Sequence, residues 1–174
     1  FRSFDHLIEN RLEAGLHSGK LVQVLLQKVQ GLGVQVLTGI EVKSYQSHHH
    51  DIELETASIA YEGNNLRFTT QQLLLCTNAF TKHLFPTIDI IPNRGQVLIT
   101  APIKNLAIKG TFHFDKGYYY FRNVGNRLLL GGARNKAFEL ENTTDMQTNE
   151  IIQTALEEFI QQHLLPGITY TVTD

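Results

Sequence analysis

Tyr118, Tyr119, Tyr120, Phe121 and Arg122 stand in succession, setting four rings beside a permanent positive charge. A guanidinium presents a planar fork to a carboxylate, and neighbouring rings exclude water and strengthen the pair. Side chains alternate along a strand, so Tyr118, Tyr120 and Arg122 share one face while Tyr119 and Phe121 share the other. One face builds core and the other is open to a ligand. Two-sided packing accounts for the same residues, because aromatic side chains are ordinary strand formers and mostly fill cores. Arg122 is then a surface arginine in an ordinary ion pair, and Arg94 and Arg134 are weaker candidates for the carboxylate.

The remaining candidates carry less. His48-His49-His50 invites a metal, but three consecutive turn residues point in different directions and no further ligands complete a tetrahedral set, so no metal is expected. His17 precedes a helix, and His113 sits between Phe112 and Phe114, where a lone histidine more often pairs with a backbone carbonyl. Cys76 follows three leucines with no adjacent base, which suits a buried, inert thiol. The chain has no Gly-x-Gly-x-x-Gly after a strand, no phosphate-binding loop and no Ser or Cys elbow.

Stepwise along the chain, a helix is expected from Ser18, a plausible N-cap, to Gly33, with Val22, Leu25, Leu26 and Val29 on its buried face. Val34, Val36 and Thr38 open an extended segment. Three strands follow as a meander, Ile40 to Gln46, Asp51 to Tyr61 and Leu66 to Gln72, with turns at Ser47 to His50 and Gly63 to Asn65. Leu73-Leu74-Leu75-Cys76 is apolar without alternation, as in a central strand buried on both faces. It is expected to lie parallel to the strand through Val34 and Val36, with the first helix against that sheet. A short helical stretch spans Phe80 to Phe85, and Pro86 and Pro92 then mark a boundary.

Beyond it the pattern is antiparallel: Gly95 to Thr100, Thr111 to Asp115, Tyr118 to Arg122 and Arg127 to Leu130. The last two form a hairpin whose Gly125 can take positive φ, and Gly131-Gly132 leaves room for close approach where the second strand ends. A polar connection leads to a helix with Ile151, Ile152, Ala155, Leu156, Phe159 and Ile160 as its apolar stripe. Ile168, Tyr170 and Val172 alternate as a final strand.

A length of 174 residues with 42% hydrophobic content supports a sizeable core. A net charge of −2 with mixed signs gives no footprint for nucleic acid or an anionic membrane, and no apolar run approaches the roughly 20 residues of a membrane span. One cysteine makes no internal disulfide, and a cytoplasmic setting is the default. The chain begins at Phe1 without Met and stops after a strand-like run, so both ends read as cut from something longer.

Three stretches carry a resemblance. Gly15-Leu16-His17-Ser18-Gly19-Lys20-Leu21, then Cys76-Thr77-Asn78-Ala79-Phe80 through Pro92-Asn93-Arg94-Gly95-Gln96-Val97-Leu98, then Tyr118 to Gly132, resemble the glycine oxidase and D-amino-acid oxidase family. The resemblance implies an α/β and α+β architecture. Residues 1–91 would form a partial glutathione-reductase-like FAD-binding lobe, and residues 92–174 an antiparallel-sheet substrate lobe with a packed helix. It implies FAD as cofactor and oxidation of a small amine or amino acid, with Val42 near the adenine and Thr77, Asn78 and Ala79 near the dinucleotide.

It also implies that Tyr119, with Phe121, faces the substrate, against the preference of residue chemistry for the face of Arg122. The family's usual carboxylate-binding arginine and last flavin-binding stretch would follow Asp174, and its glycine fingerprint would precede Phe1. The chain then reads as the middle of an oxidoreductase, inactive by itself. A different class of function stays open beside this one: a cofactor-free module binding a small ligand or a protein on the aromatic sheet.

Overall fold

A computed structural model describes residues 4–60 and 65–173. The chain forms two compact units, one of them His17–Ile91, the other joining the N-terminal segment up to Leu16 to the chain from Pro92 onward. The sequence places residues 1–91 in one lobe, but the N-terminal segment packs with the second unit. The Phe4 ring stands edge-on to Phe114 at 5.0 Å, and the Leu16 carbonyl accepts a hydrogen bond of 3.0 Å from Arg122. An apolar anchor and a charged donor thus hold this segment.

In the first unit, helix α1 spans Ser18–Gly31. Its cap is His17 rather than Ser18: the His17 Nδ1 accepts from the Lys20 N–H at 3.2 Å and satisfies one of the orphan donors of the first turn. Strands β1 (Ile40–Ser47), β2 (Ile52–Ser58) and β3 (Asn65–Thr70) form an antiparallel meander in that order, and a single-turn helix, α2 (Thr81–Leu84), follows. The register of β1 on β2 shifts between Val42 and Ser44, which makes Lys43 the extra residue of a bulge. Thr56, nearly fully buried, donates from Oγ1 to the Leu66 carbonyl at 2.8 Å. The expected turn through Gly63 and the end of the strand at Tyr61 lie outside the described residues.

The central strand expected at residues 73–76 is not there. Neither that run nor residues 34–38 form a ladder, Leu74 is 85% exposed, and no residue of α1 is buried. A strand is defined by the neighbour that shares its hydrogen bonds, and every pairing among the described residues is antiparallel. The leucine run records an environment that the described residues do not supply. Cys76 is likewise exposed, against the expectation of a buried thiol. Native protein is therefore expected to react with one equivalent of a maleimide reagent without denaturant, as read by intact mass. A thiol that labels only in urea would contradict this placement.

In the second unit, β4 (Val97–Ile99), β5 (Thr111–Phe114), β6 (Tyr119–Val124) and β7 (Arg127–Gly132) build an antiparallel sheet in the order β4-β7-β6-β5. Gly125, at φ +60°, turns the β6–β7 hairpin. Helix α3, Glu150–Phe159, is capped by Asn149 Oδ1, which accepts from the Ile151 N–H at 2.8 Å. It covers one face of the sheet, where Leu98, Leu128, Leu130, Ile152, Leu156 and Ile160 are fully buried. Each such side chain contributes about 1.5–3 kcal/mol. The helix ends in a widened turn, Ile160–Leu164, in which the Leu165 N–H reaches back five residues to the Ile160 carbonyl at 2.8 Å. Of the expected final strand, only Val172 pairs, with Thr100.

Candidate active-site face

Alternation along β6 sorts its aromatic residues, and α3 decides which set is core. Tyr119 stacks on Phe159 at 4.3 Å between ring centroids with a 10° interplanar angle, and Phe121 stacks on Phe112 at 4.9 Å. At 8% and 5% exposure, Tyr119 and Phe121 are part of the packing under the helix. Tyr119 and Phe121, which the resemblance sets toward the substrate, thus both face the helix side of the sheet. Burial pushes the Tyr119 phenol up, and nearby Asp115 and Glu158 add to it. Phe121 also borders a cavity of 520 Å³ at the β5 edge, beneath the N-terminal segment.

The opposite face of the sheet points away from α3. Register puts His113, Tyr120, Gly131 and Val97 in one row across it, and Thr111, Arg122, Leu129 and Ile99 in the next. The Tyr120 ring lies over Gly131, where an added Cβ would stand 2.4 Å from Cε2, and its hydroxyl extends toward Gly95. Burial raises the Tyr120 pKa, so the phenol is a proton-bearing donor at neutral pH. Arg122 spends Nη1 on the Leu16 carbonyl, and its other N–H groups have no partner among the described residues. A flat ring, a phenolic donor, a guanidinium fork and the exposed imidazole of His113 thus share one surface.

The other two candidate arginines, Arg94 and Arg134, are committed. Arg94 grips the carboxylate of Glu141 through Nε at 3.0 Å and Nη2 at 2.7 Å. Gln96 Nε2 adds a third bond to Glu141 at 2.9 Å, and its Oε1 accepts from the Asn149 N–H and from Gln153 Nε2. The Arg-Gly-Gln motif therefore binds a carboxylate, but one belonging to the chain itself. Arg134 bonds Asn93 Oδ1 and lies over the Phe138 ring at 5.2 Å.

The residues that the resemblance sets near FAD lie in the first unit. Val42 is half-buried in β1 opposite Thr56, immediately before the bulge. Residues 77–79 enter a tight turn in which the Thr77 carbonyl accepts from the Phe80 N–H at 2.9 Å and Asn78 adopts φ +43°. Thr81 Oγ1 closes the turn on the Asn78 carbonyl at 2.7 Å. His48 stands 4.0 Å from Glu53 in an exposed turn, and no group of three or more His, Cys, Asp or Glu able to hold a metal occurs among the described residues.

Sequence reasoning missed the seat of Tyr120 on Gly131, although its signal was present. A hairpin closing between Val124 and Arg127 necessarily sets Tyr120 opposite Gly131.

Comparison with known proteins gives the family. The family model DAO, FAD dependent oxidoreductase, matches residues 8–173. Among solved structures, the OxyS anhydrotetracycline hydroxylase from Streptomyces rimosus is similar at a TM-score of 0.46 and 12% identity, over 87% of this chain. The chain spans 30% of that structure's length. No curated protein matches. With the family match running through both units, the chain belongs to the DAO family of FAD dependent oxidoreductases.

Proposed function

We propose that the chain is part of a flavoenzyme that oxidises a small amine or amino acid held on the open face of the four-stranded sheet. The observation that carries this reading is the pairing on that face of Tyr120, lying flat, with Arg122, whose fork keeps unpartnered N–H groups. Family membership favours this over the cofactor-free module, for which no observation speaks.

The described residues fit the cofactor in part. The sheet face that carries Tyr120 and Arg122 suits a small carboxylate-bearing substrate. The start of α1 does not suit a pyrophosphate, because His17 already caps the Lys20 N–H and no glycine-rich turn precedes it. Val42, beside a bulge that frees backbone, and Thr77, Asn78 and Ala79, in their tight turn, are proposed neighbours of the adenine side.

Bound FAD supplies the two-electron acceptor for the substrate's Cα–H bond; the amine becomes an imine, which water hydrolyses. The share of this chain is orientation. Arg122 would receive a carboxylate, Tyr120 would donate its O–H to a substrate oxygen or accept from the ammonium, and the ring would exclude water beneath the reacting carbon.

In the complete FAD-loaded enzyme, Arg122→Ala is expected to raise KM for an amino-acid substrate by about 10- to 100-fold, the loss of a charge-assisted hydrogen bond. Tyr120→Phe is expected to lower kcat/KM by about 2- to 10-fold. Tyr119→Phe should leave kcat/KM unchanged, since its ring packs under α3. Wild-type kinetics in the first two variants, with a loss in the third, would sink the assignment. The 174-residue chain by itself is expected to purify colourless and inactive, and stoichiometric FAD on it would overturn the partial fit.

A further inference from the structure

We infer that Gly131 is a positioning residue for Tyr120: by lacking a side chain it lets the ring lie down across β7 and so sets the floor on which the substrate rests. The inference builds on the reading of the open face as the substrate site. It goes beyond that reading in assigning the geometry of the floor to a residue that touches no substrate.

The two adjacent glycines have different reasons to be glycine. At Gly132 the backbone has φ +122° and an added Cβ would strike the main chain. Gly131 is not among the positive-φ residues, so its backbone admits alanine. The three atoms nearest its missing Cβ all belong to one side chain, Tyr120 Cε2 at 2.4 Å, Cζ at 2.6 Å and the hydroxyl oxygen at 2.7 Å. These atoms are the far end of a side chain that can swing. An alanine therefore displaces the ring and leaves the ladder in place. Ordinary contact begins near 3.4 Å, so the ring must rise by about 1 Å away from β7.

That direction matters. The ring lies half-buried, its hydroxyl has no partner among the described residues, and a Cβ on Gly95 would stand 3.8 Å from that hydroxyl. Lifting the ring both shrinks the site and moves its donor. A misplacement of about 1 Å can cost up to about 100-fold in rate. Tyr120 titrates above the ordinary tyrosine range because it is desolvated, so a lifted ring titrates lower.

The test compares wild type, Tyr120→Phe and Gly131→Ala. With tyrosine 13C-labelled at Cζ, the Tyr120 signal is identified by its loss in Tyr120→Phe, and its midpoint is followed with pH in the chain. In the FAD-loaded enzyme, kcat and KM are measured separately. We expect Gly131→Ala to shift the Tyr120 midpoint down toward the ordinary value and to lower kcat/KM by about 10- to 100-fold. An unshifted midpoint with wild-type kinetics in Gly131→Ala, beside a loss in Tyr120→Phe, would overturn the inference and leave the site reading standing. Wild-type kinetics in Tyr120→Phe and Arg122→Ala together would instead remove the site reading itself, and wild-type kinetics in Tyr120→Phe alone would overturn the inference. If Gly131→Ala does not fold, Tyr120→Ala in the same chain should restore folding; failure to do so would show that the ring is not the obstacle.

Discussion

Gly132→Ala is expected to unfold the sheet of the second unit. The added Cβ would stand 2.0 Å from the Tyr118 carbonyl oxygen, 2.8 Å from its carbon and 3.0 Å from the Tyr119 Cα, all main-chain atoms. The backbone cannot rotate out of the way. Tyr118 O accepts from the Ala133 N–H at 2.7 Å, and the Gly132 N–H donates to the Gln96 carbonyl at 3.2 Å, so both neighbouring strands hold the strained turn. At φ +122° an L side chain is disfavoured even without the clash. Relieving it requires β6 and β7 to part where Tyr119 joins the core. The loss should exceed about 4 kcal/mol, a large share of a typical total of about 5–15 kcal/mol. Urea unfolding followed by circular dichroism reads this directly, and a loss under about 1 kcal/mol would contradict the geometry.

Glu141→Ala is expected to cost about 3 kcal/mol, because it removes the hub of a buried polar network and leaves its donors unpaired. The Glu141 carboxylate is 1% exposed and takes three hydrogen bonds from Arg94 and Gln96. Gln96 in turn holds the Asn149 backbone at the start of α3, so one side chain ties the approach to β4 to the helix on the core. The same contacts give a pH signature. The Arg94 bonds, helped by Gln96, hold the Glu141 carboxyl below the ordinary carboxylate range. The unfolded chain then binds the proton more readily than the folded one. The contribution is complete above the unfolded value of about 4.3 and is lost as pH falls through the lower folded value. Urea midpoints of wild type and Glu141→Gln should therefore differ at pH 7 and converge toward pH 3. A gap that stays constant would show that the charge on Glu141 is not what stabilises.

Local patterns were legible in the sequence wherever the chain supplied its own partners. Ile152, Leu156 and Phe159 meet the sheet as their spacing demands, and the β1–β2 and β6–β7 hairpins follow their turns. The run at residues 73–76 failed for the complementary reason: four apolar residues ask for neighbours but do not say whether those lie alongside. The two faces of β6 show a different limit. Alternation divides β6 into two sets but carries no information on which set a helix will cover, and that depended on α3, about thirty residues further along. Arg94 shows a third limit. Its chemistry as a carboxylate binder was readable, while the identity of the carboxylate, Glu141, rests on contacts across 47 positions of sequence.

The wide turn after α3 bears on which insertions and deletions this family can absorb. In an ordinary α-helix each residue advances about 100°, so Leu165 would point about 140° away from Ile160 and lie toward solvent. By letting the Leu165 N–H reach the Ile160 carbonyl, the turn widens enough that Ile160, Leu164 and Leu165 are all buried. One residue of chain length is in effect stored there. A relative one residue shorter in this turn would close as regular helix and lose an apolar anchor just before Pro166 and Gly167, whereas a change in length within the exposed turn at residues 48–50 would leave the core register untouched.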